Sequence, residues 1–246
     1  MGKITCTIVG IILCVSNLCA QQNAFSTFYY QRASLLEKLP VDSTDIVFLG
    51  NSITNFGEWV ELFKDNHIKN RGISGDRTEG ILARLNTILP GNPRKIFLMI
   101  GVNDLEHGAA PDSIVNGITR IMDKIAKESP KTTLYLQSIL PVNDQFSKFP
   151  KHTDKGASIL EINRRLKLLC QSRNLIYIDL YRSFKNREDE KLNPAYTNDG
   201  LHLMGEGYLL WVKLISKYVL LPDRQNRINN QDLRMDGKRE ETNGQF

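Results

Sequence analysis

Cysteine is scarce in this chain and badly placed for cross-linking. Of the four cysteines, Cys6, Cys14 and Cys19 fall near the N-terminus and only Cys170 lies in the body of the sequence. With the leader removed, no internal disulfide can form, and stability must come from an ordinary buried core. Cys170 sits in the apolar helical context Leu168-Leu169-Cys170 and reads as a small buried hydrophobe. Histidine is also scarce. His67, His107, His152 and His202 form neither an H-x-H nor an H-E-x-x-H pattern, so a metal-dependent hydrolase is disfavoured and no metal is expected. No G-x-G-x-x-G follows the first strand-like run, which argues against a plain Rossmann dehydrogenase. Charge of one sign is lacking too. The formal net charge is +5, and bases alternate with acids, as in Lys185-Asn186-Arg187-Glu188-Asp189-Glu190-Lys191. Without a basic stripe interleaved with aromatics there is no nucleic-acid footprint.

Long apolar runs are absent except at the N-terminus. Met1-Gly2-Lys3 carries one positive charge, Ile4 to Leu18 is uncharged and mostly apolar, and Cys19-Ala20-Gln21-Gln22 follows. This pattern predicts a signal peptide over 1–20, cleaved after Ala20, and a secreted or periplasmic protein. Two alternatives stand beside it: a lipid-modified Cys19, and a membrane anchor. The anchor reading has to accommodate Thr5, Thr7, Ser16 and Asn17 in a run that is short for a bilayer. At the other end, 223–246 holds five basic and five acidic residues among Asn, Gln and Gly. It has too few apolar residues to build a core and reads as a polar, disordered tail. One domain is expected over 21–222.

Inside that domain short apolar runs alternate with helical patterns. Strands are expected at Asp45–Gly50, Ile68–Arg71, Lys95–Gly101, Thr132–Ser138 and Leu175–Leu180. Helices are expected at 25–38, 57–66, 78–89, 113–128, 157–172 and 205–221, with 142–156 a polar loop. Five such alternations imply a parallel sheet with helices on both faces, and near-continuous apolar strands fit a sheet buried on both sides.

Ligands of such sheets bind at the carboxyl ends of the strands, so the polar residues just after each strand carry the interest. They are Asn51-Ser52-Ile53-Thr54, Ser74-Gly75-Asp76 and Asn103-Asp104, joined near the C-terminus by Asp199-Gly200-Leu201-His202. Singly each is an ordinary turn or helix cap. Together they supply a nucleophile, oxyanion donors and an acid–base pair at one edge. A serine hydroxyl attacks only when a base takes its proton, and histidine suits that task near neutral pH. A carboxylate fixes the tautomer of that histidine. Asp199 and His202 are close enough in sequence for one turn to present both. The backbone N–H groups of Ser52 and Gly75 and the amide of Asn103 would meet a tetrahedral oxyanion.

These blocks, Gly50-Asn51-Ser52, Ser74-Gly75-Asp76, Gly101-Val102-Asn103-Asp104 and Asp199-Gly200-Leu201-His202, resemble those of the SGNH (GDSL-like) hydrolases. The ending Leu201-His202-Leu203-Met204-Gly205-Glu206-Gly207-Tyr208 is similar to the branch holding platelet-activating-factor acetylhydrolase catalytic subunits and bacterial acetylesterases. The resemblance implies an α/β three-layer sandwich with a flavodoxin-like parallel sheet of about five strands. It implies a serine esterase with Ser52, His202 and Asp199 as triad, and Ser52, Gly75 and Asn103 as oxyanion hole. Neither cofactor nor metal is implied, and the partner is a small-molecule or glycan ester. O-acetyl esters on carbohydrates are the expected substrates; the alternatives are lipid acyl esters and a non-catalytic flavodoxin-like binding module. The family usually has Asp where this chain has Asn51. The loop 142–156, with Lys148, Lys151, His152 and Lys155, either greets an anionic substrate or is a solvated loop. Phe56, Trp59 and Phe63 either line an acyl pocket or form the core face of a helix.

Overall fold

Strand β1 (Ile46–Gly50) is apolar at every position but its last, and every one of its residues is buried. Such a strand belongs in the middle of a sheet covered on both faces. The computed structural model describes residues 25–220. The expected leader with Cys6, Cys14 and Cys19, and the expected tail, lie outside them. Five strands, β1, β2 (Ile68–Gly72), β3 (Lys95–Met99), β4 (Thr133–Gln137) and β5 (Ile176–Ile178), pair in the order β2-β1-β3-β4-β5. All four pairings are parallel. This is the flavodoxin-like doubly wound order, and its direction reverses between β1 and β3.

Register builds the core. Phe48, Phe97 and Tyr135 face one another across β1, β3 and β4. Their rings stack at 5.1 and 4.6 Å between centroids. Trp59 covers one end of the row at 4.4 Å from Phe48, and Tyr218 the other at 5.5 Å from Tyr135. Each such pair is worth roughly 0.5–1.5 kcal/mol beyond the area it buries. Trp59 belongs to the short helix α3 (Trp59–Phe63) and Tyr218 to the last helix, α10 (Gly205–Leu220). Of the three aromatics of uncertain purpose, Trp59 is therefore a core residue and half-buried Phe63 packs against the core, whereas Phe56 is 52% exposed.

The longest helix, α6 (Pro111–Glu128), buries Ile114, Val115, Ile118, Ile121, Met122 and Ile125. That three-and-four spacing puts all six on one stripe. It packs between α4 (Thr78–Arg84) and α8 (Gly156–Ser172), while α3 and α10 meet each other. The remaining elements are α1 (Thr27–Glu37) and the short turns α2 (Ser52–Asn55), α5 (Val102–Glu106), α7 (Pro150–Thr153) and α9 (Tyr181–Phe184). Cys170 is buried and free, and burial pushes its thiol up to about 11, so it holds no thiolate at neutral pH. Among the described residues no helix is long and apolar enough to cross a membrane.

Two helices are shorter than their patterns predict. The one expected over 78–89 stops at Arg84 and continues as 3₁₀ turns at Leu85–Thr87 and Leu89–Gly91. Pro90 lacks the N–H that a further α turn needs. The one expected over 57–66 contracts to Trp59–Phe63, because Lys64 turns left-handed with φ 54°. The expected loop 142–156 holds a 3₁₀ turn, Asp144–Phe146, and α7.

Candidate active site

Ser52 opens α2 directly after β1, Gly75 follows β2, and Asn103 follows β3 within α5. These are the strand ends on either side of the reversal point, where the fold leaves a crevice. Ser52 Oγ lies 3.0 Å from His202 Nε2, across 150 positions of sequence. His202 Nδ1 lies 2.8 Å from Asp199 Oδ2. The line hydroxyl–imidazole–carboxylate is thus continuous. Its geometry lets the imidazole take a proton from the hydroxyl while the carboxylate steadies the resulting charge.

Each end of the line is held locally. Asn51 caps α2: its Oδ1 accepts the Ile53 N–H at 3.1 Å. An amide oxygen performs this capping as a carboxylate would. Tyr208 of α10 donates its hydroxyl to the Ile53 carbonyl at 2.8 Å, pinning the turn from above. At the other end Asp199 Oδ1 accepts the N–H groups of Leu201 and His202, both at 2.8 Å. Burial works against ionisation of Asp199, but those two N–H groups and the imidazole outweigh it and hold its carboxyl below the ordinary carboxylate range. Gly200 between them has φ 83°, and a Cβ there would run into the Asn143 carbonyl. That carbonyl's own residue donates its N–H to Gly200 O at 2.8 Å, so only glycine fits the crossing.

The strand ends are tied to one another by groups that the motif blocks do not advertise. Asp76 is fully buried, and Arg84 of α4 reaches its Oδ2 with Nε at 2.9 Å and Nη2 at 2.8 Å. The same Nη2 donates to the Gly50 carbonyl at 3.1 Å, at the end of β1. Burial pushes the Asp76 carboxyl up to about 6 despite the attraction of Arg84. The backbone carbonyl of Asp76 accepts Asn103 Nδ2 at 2.8 Å. Next to Asn103, Asp104 accepts the Thr78 hydroxyl at 2.6 Å and the Thr78 N–H at 3.1 Å. The loops after β1, β2 and β3 therefore form one hydrogen-bonded platform. Gly75 has φ 77°, and a Cβ there would meet nothing within 4 Å. Its glycine is required by backbone conformation, and its open side faces free space.

His152 comes from outside the motif blocks. It lies on α7, and its Nε2 is 3.0 Å from Asn103 Oδ1. Of its basic loop companions, Lys148 and Lys151 are exposed, and Lys155 pairs with Asp154 at 3.0 Å. Phe149 on the same loop sits edge-on to His202 with centroids 5.1 Å apart, and Phe56 lies on His202 at 5.3 Å. Both are large exposed aromatics, and Phe149 adopts φ 47°, an uncommon left-handed conformation for a bulky residue. Asp76 stands in the block Ser74-Gly75-Asp76 and His152 among the basic residues of loop 142–156, but their residue types and spacing assign neither of them a partner; nothing in the local pattern marks Arg84 or Phe149.

A five-stranded parallel sheet of this order, flanked by helices, is a scaffold that many activities share; the class of this chain, an ester hydrolase, follows from the family it matches. The model of the GDSL-like Lipase/Acylhydrolase family matches residues 48–210, and the chain belongs to that family. It is 26% identical over 182 residues to platelet-activating factor acetylhydrolase IB subunit alpha2 of Homo sapiens, covering 72% of this chain and 76% of that one. A GDSL-like lipase from Bacteroides thetaiotaomicron VPI-5482 superposes with TM-score 0.67 and 27% identity over 78% of this chain and 96% of its own. The acetyl xylan esterase AlAXEase shares the fold at TM-score 0.59 and 20% identity, over 72% and 100% of the two chains.

Proposed function

We propose that the protein is a secreted serine esterase that removes short acyl groups, O-acetyl above all, from carbohydrates. The observation that carries this reading is the continuous line Ser52 Oγ, His202 Nε2, His202 Nδ1, Asp199 Oδ2, at 3.0 and 2.8 Å. His202 takes the Ser52 proton as Oγ bonds to the ester carbonyl carbon. The carbonyl oxygen becomes an oxyanion, met by the N–H groups of Ser52 and Gly75 and by Asn103 Nδ2. Collapse breaks the bond to the alcohol oxygen, which leaves with the proton from His202 Nε2. Water then attacks the acyl-enzyme, giving its proton to His202, and Ser52 recovers its own as the acid departs.

What surrounds His202 supports this choice of substrate. The leaving oxygen must sit within hydrogen-bond reach of Nε2, so groups beside the imidazole touch the alcohol half of the ester. Those groups are Phe56 and Phe149, 52% and 43% exposed. Two exposed aromatic rings suit the C–H faces of a sugar. An acetylhydrolase and an acetyl xylan esterase among the similar proteins agree with a small acyl group. Export by the leader 1–20 would bring the enzyme to extracellular glycan.

The test is hydrolysis of p-nitrophenyl esters from C2 to C12 by wild type and Ser52→Ala. Turnover should be highest on acetate, fall with chain length, and drop at least about 10³-fold in the variant. Near-normal turnover in Ser52→Ala would remove the serine mechanism. Rates that rise with chain length would replace glycan esters by lipid esters.

A further inference from the structure

The amide of Asn103 is gripped at both ends by groups of opposite character. Its Nδ2 donates to the Asp76 carbonyl at 2.8 Å, and its Oδ1 lies 3.0 Å from His152 Nε2. Asp76 O can only accept. If His152 Nε2 carries a hydrogen, it can only donate. An amide rotated by 180° would then set oxygen against oxygen and N–H against N–H, so a single orientation survives. In that orientation Nδ2 keeps one N–H on Asp76 and has its second free for a ligand in the crevice. With only the Asp76 contact, the side chain could pivot about that bond, and a donor that pivots stabilises a developing charge less well than a fixed one.

We infer that His152 is a positioning residue for the oxyanion hole: as a neutral imidazole protonated on Nε2, it locks Asn103 with its free N–H turned toward the oxyanion. The inference rests on the reading of the site given above. It needs a hydrogen on His152 Nε2, which the imidazolium carries and so does one neutral tautomer; the surroundings favour the neutral ring. Burial holds its pKa below the ordinary histidine value; of the charged or titratable groups facing it, His202 and His107 push the same way, while Glu106 and Asp154 oppose. Glu106 and His107 come from the end of α5, His202 from the loop before α10, and Asp154 from its own segment. The imidazole is also set by its backbone. The His152 N–H donates to the Phe149 carbonyl at 2.8 Å, and the Phe149 ring stands edge-on at 6.0 Å. Buried Thr153 donates its hydroxyl to that same carbonyl at 3.3 Å. The position lies outside the four blocks, so a search by motif passes over it.

The experiment is a double-mutant cycle on p-nitrophenyl acetate, with kcat and KM measured for wild type, His152→Phe, His152→Gln, Asn103→Ala and His152→Phe/Asn103→Ala. Phenylalanine fills the space without a donor, and glutamine restores an N–H. His152→Phe should lower kcat about 10- to 100-fold, less than the loss of the Asn103 donor itself, with KM changed by less than about threefold. His152→Gln should recover most of the loss. In the Asn103→Ala background, where no amide remains to be oriented, His152→Phe should cost less than about twofold. The inference is overturned if kcat is unaffected by His152→Phe, or if the full loss persists without Asn103. Comparing the glutamine and wild-type enzymes keeps the test open should the phenylalanine variant fail to fold: glutamine with no recovered turnover, in a folded protein, also overturns it. Ser52→Ala in the same series separates two failures. Activity that survives it sinks the serine mechanism, whereas serine-dependent activity indifferent to His152 sinks only the positioning role.

Discussion

Replacing Arg84 by methionine tests how much the platform beneath the site depends on one buried ion pair. The side chains of Arg84 and Asp76 are 4% and 0% exposed. Solvent can do little to screen a charge left behind there. Removing the guanidinium strips Asp76 Oδ2 of both its contacts and the Gly50 carbonyl of a third. Breaking one half of such a pair destabilises by about 3–5 kcal/mol. In a domain of this size that lowers Tm by roughly 6–20 °C. The loss should depend on pH with a definite sign. Burial already raises the Asp76 carboxyl to about 6, and without Arg84 it rises further. A group whose folded pKa is raised stabilises fully below its unfolded value, near 3.8, and loses that contribution as pH climbs through the folded value. At pH 8 the variant must hold a buried, unpaired carboxylate; at pH 5 it holds a neutral acid. Urea unfolding at the two pH values should therefore show the defect shrinking by at least about 1 kcal/mol, somewhat under one pKa unit's worth, at pH 5. A defect below about 1 kcal/mol at pH 8, or one of equal size at both pH values, would refute the account of a buried pair whose partner cannot be solvated.

Gly200→Ala should destabilise by at least about 2 kcal/mol, since it combines a strained φ with a collision at the Asn143 carbonyl. Hydrolysis should fall with it, because Asp199 and His202 flank the displaced backbone; a variant with normal Tm and normal turnover would contradict the crossing described. Asp199→Asn should cut kcat by about 10³–10⁴-fold through the wrong histidine tautomer. Because the Asp199 carboxyl is held below its ordinary value of 3.8, its protonation should take no activity away at mildly acidic pH, and any wild-type decline there must titrate another group. A pH–rate profile of the wild type, read beside the side-chain carboxyl NMR shift of Asp199, checks this; an Asp199 signal that titrates together with the acid limb would count against it.

What could be read in the sequence was whatever repeats at short range. Edge strand Ile68–Gly72 holds Lys69, Asn70 and Arg71, but the strands in the middle of the sheet announced themselves because cover on both faces leaves them few polar positions, as in Ile46–Gly50 and Lys95–Met99. Lys95 is the exception: its ammonium is buried yet capped on the Tyr218 and Val219 carbonyls, both at 2.9 Å, which is a partnership across more than 120 positions. The pattern over 78–89 predicts too long a helix because Leu85 and Leu89 keep helical spacing and are buried, although the backbone beneath them has tightened to 3₁₀ turns at Leu85–Thr87 and Leu89–Gly91. The same limit governs the site. Ser52, Gly75, Asn103, Asp199 and His202 were legible because each sits directly after an apolar run or inside a turn signature, where residue type and position coincide. The groups that hold them lack such marks. Arg84 lies at the end of a helix, His152 in a polar loop among lysines, and Tyr208 within the apolar face of α10, and each reaches its target only once the sheet has stacked the strand ends together. A local pattern can name the group that would do the chemistry, since reactivity demands particular residue types. It cannot name the group that fixes its orientation, since any donor brought to the right place would serve, and that place is created by contacts between segments far apart in the chain.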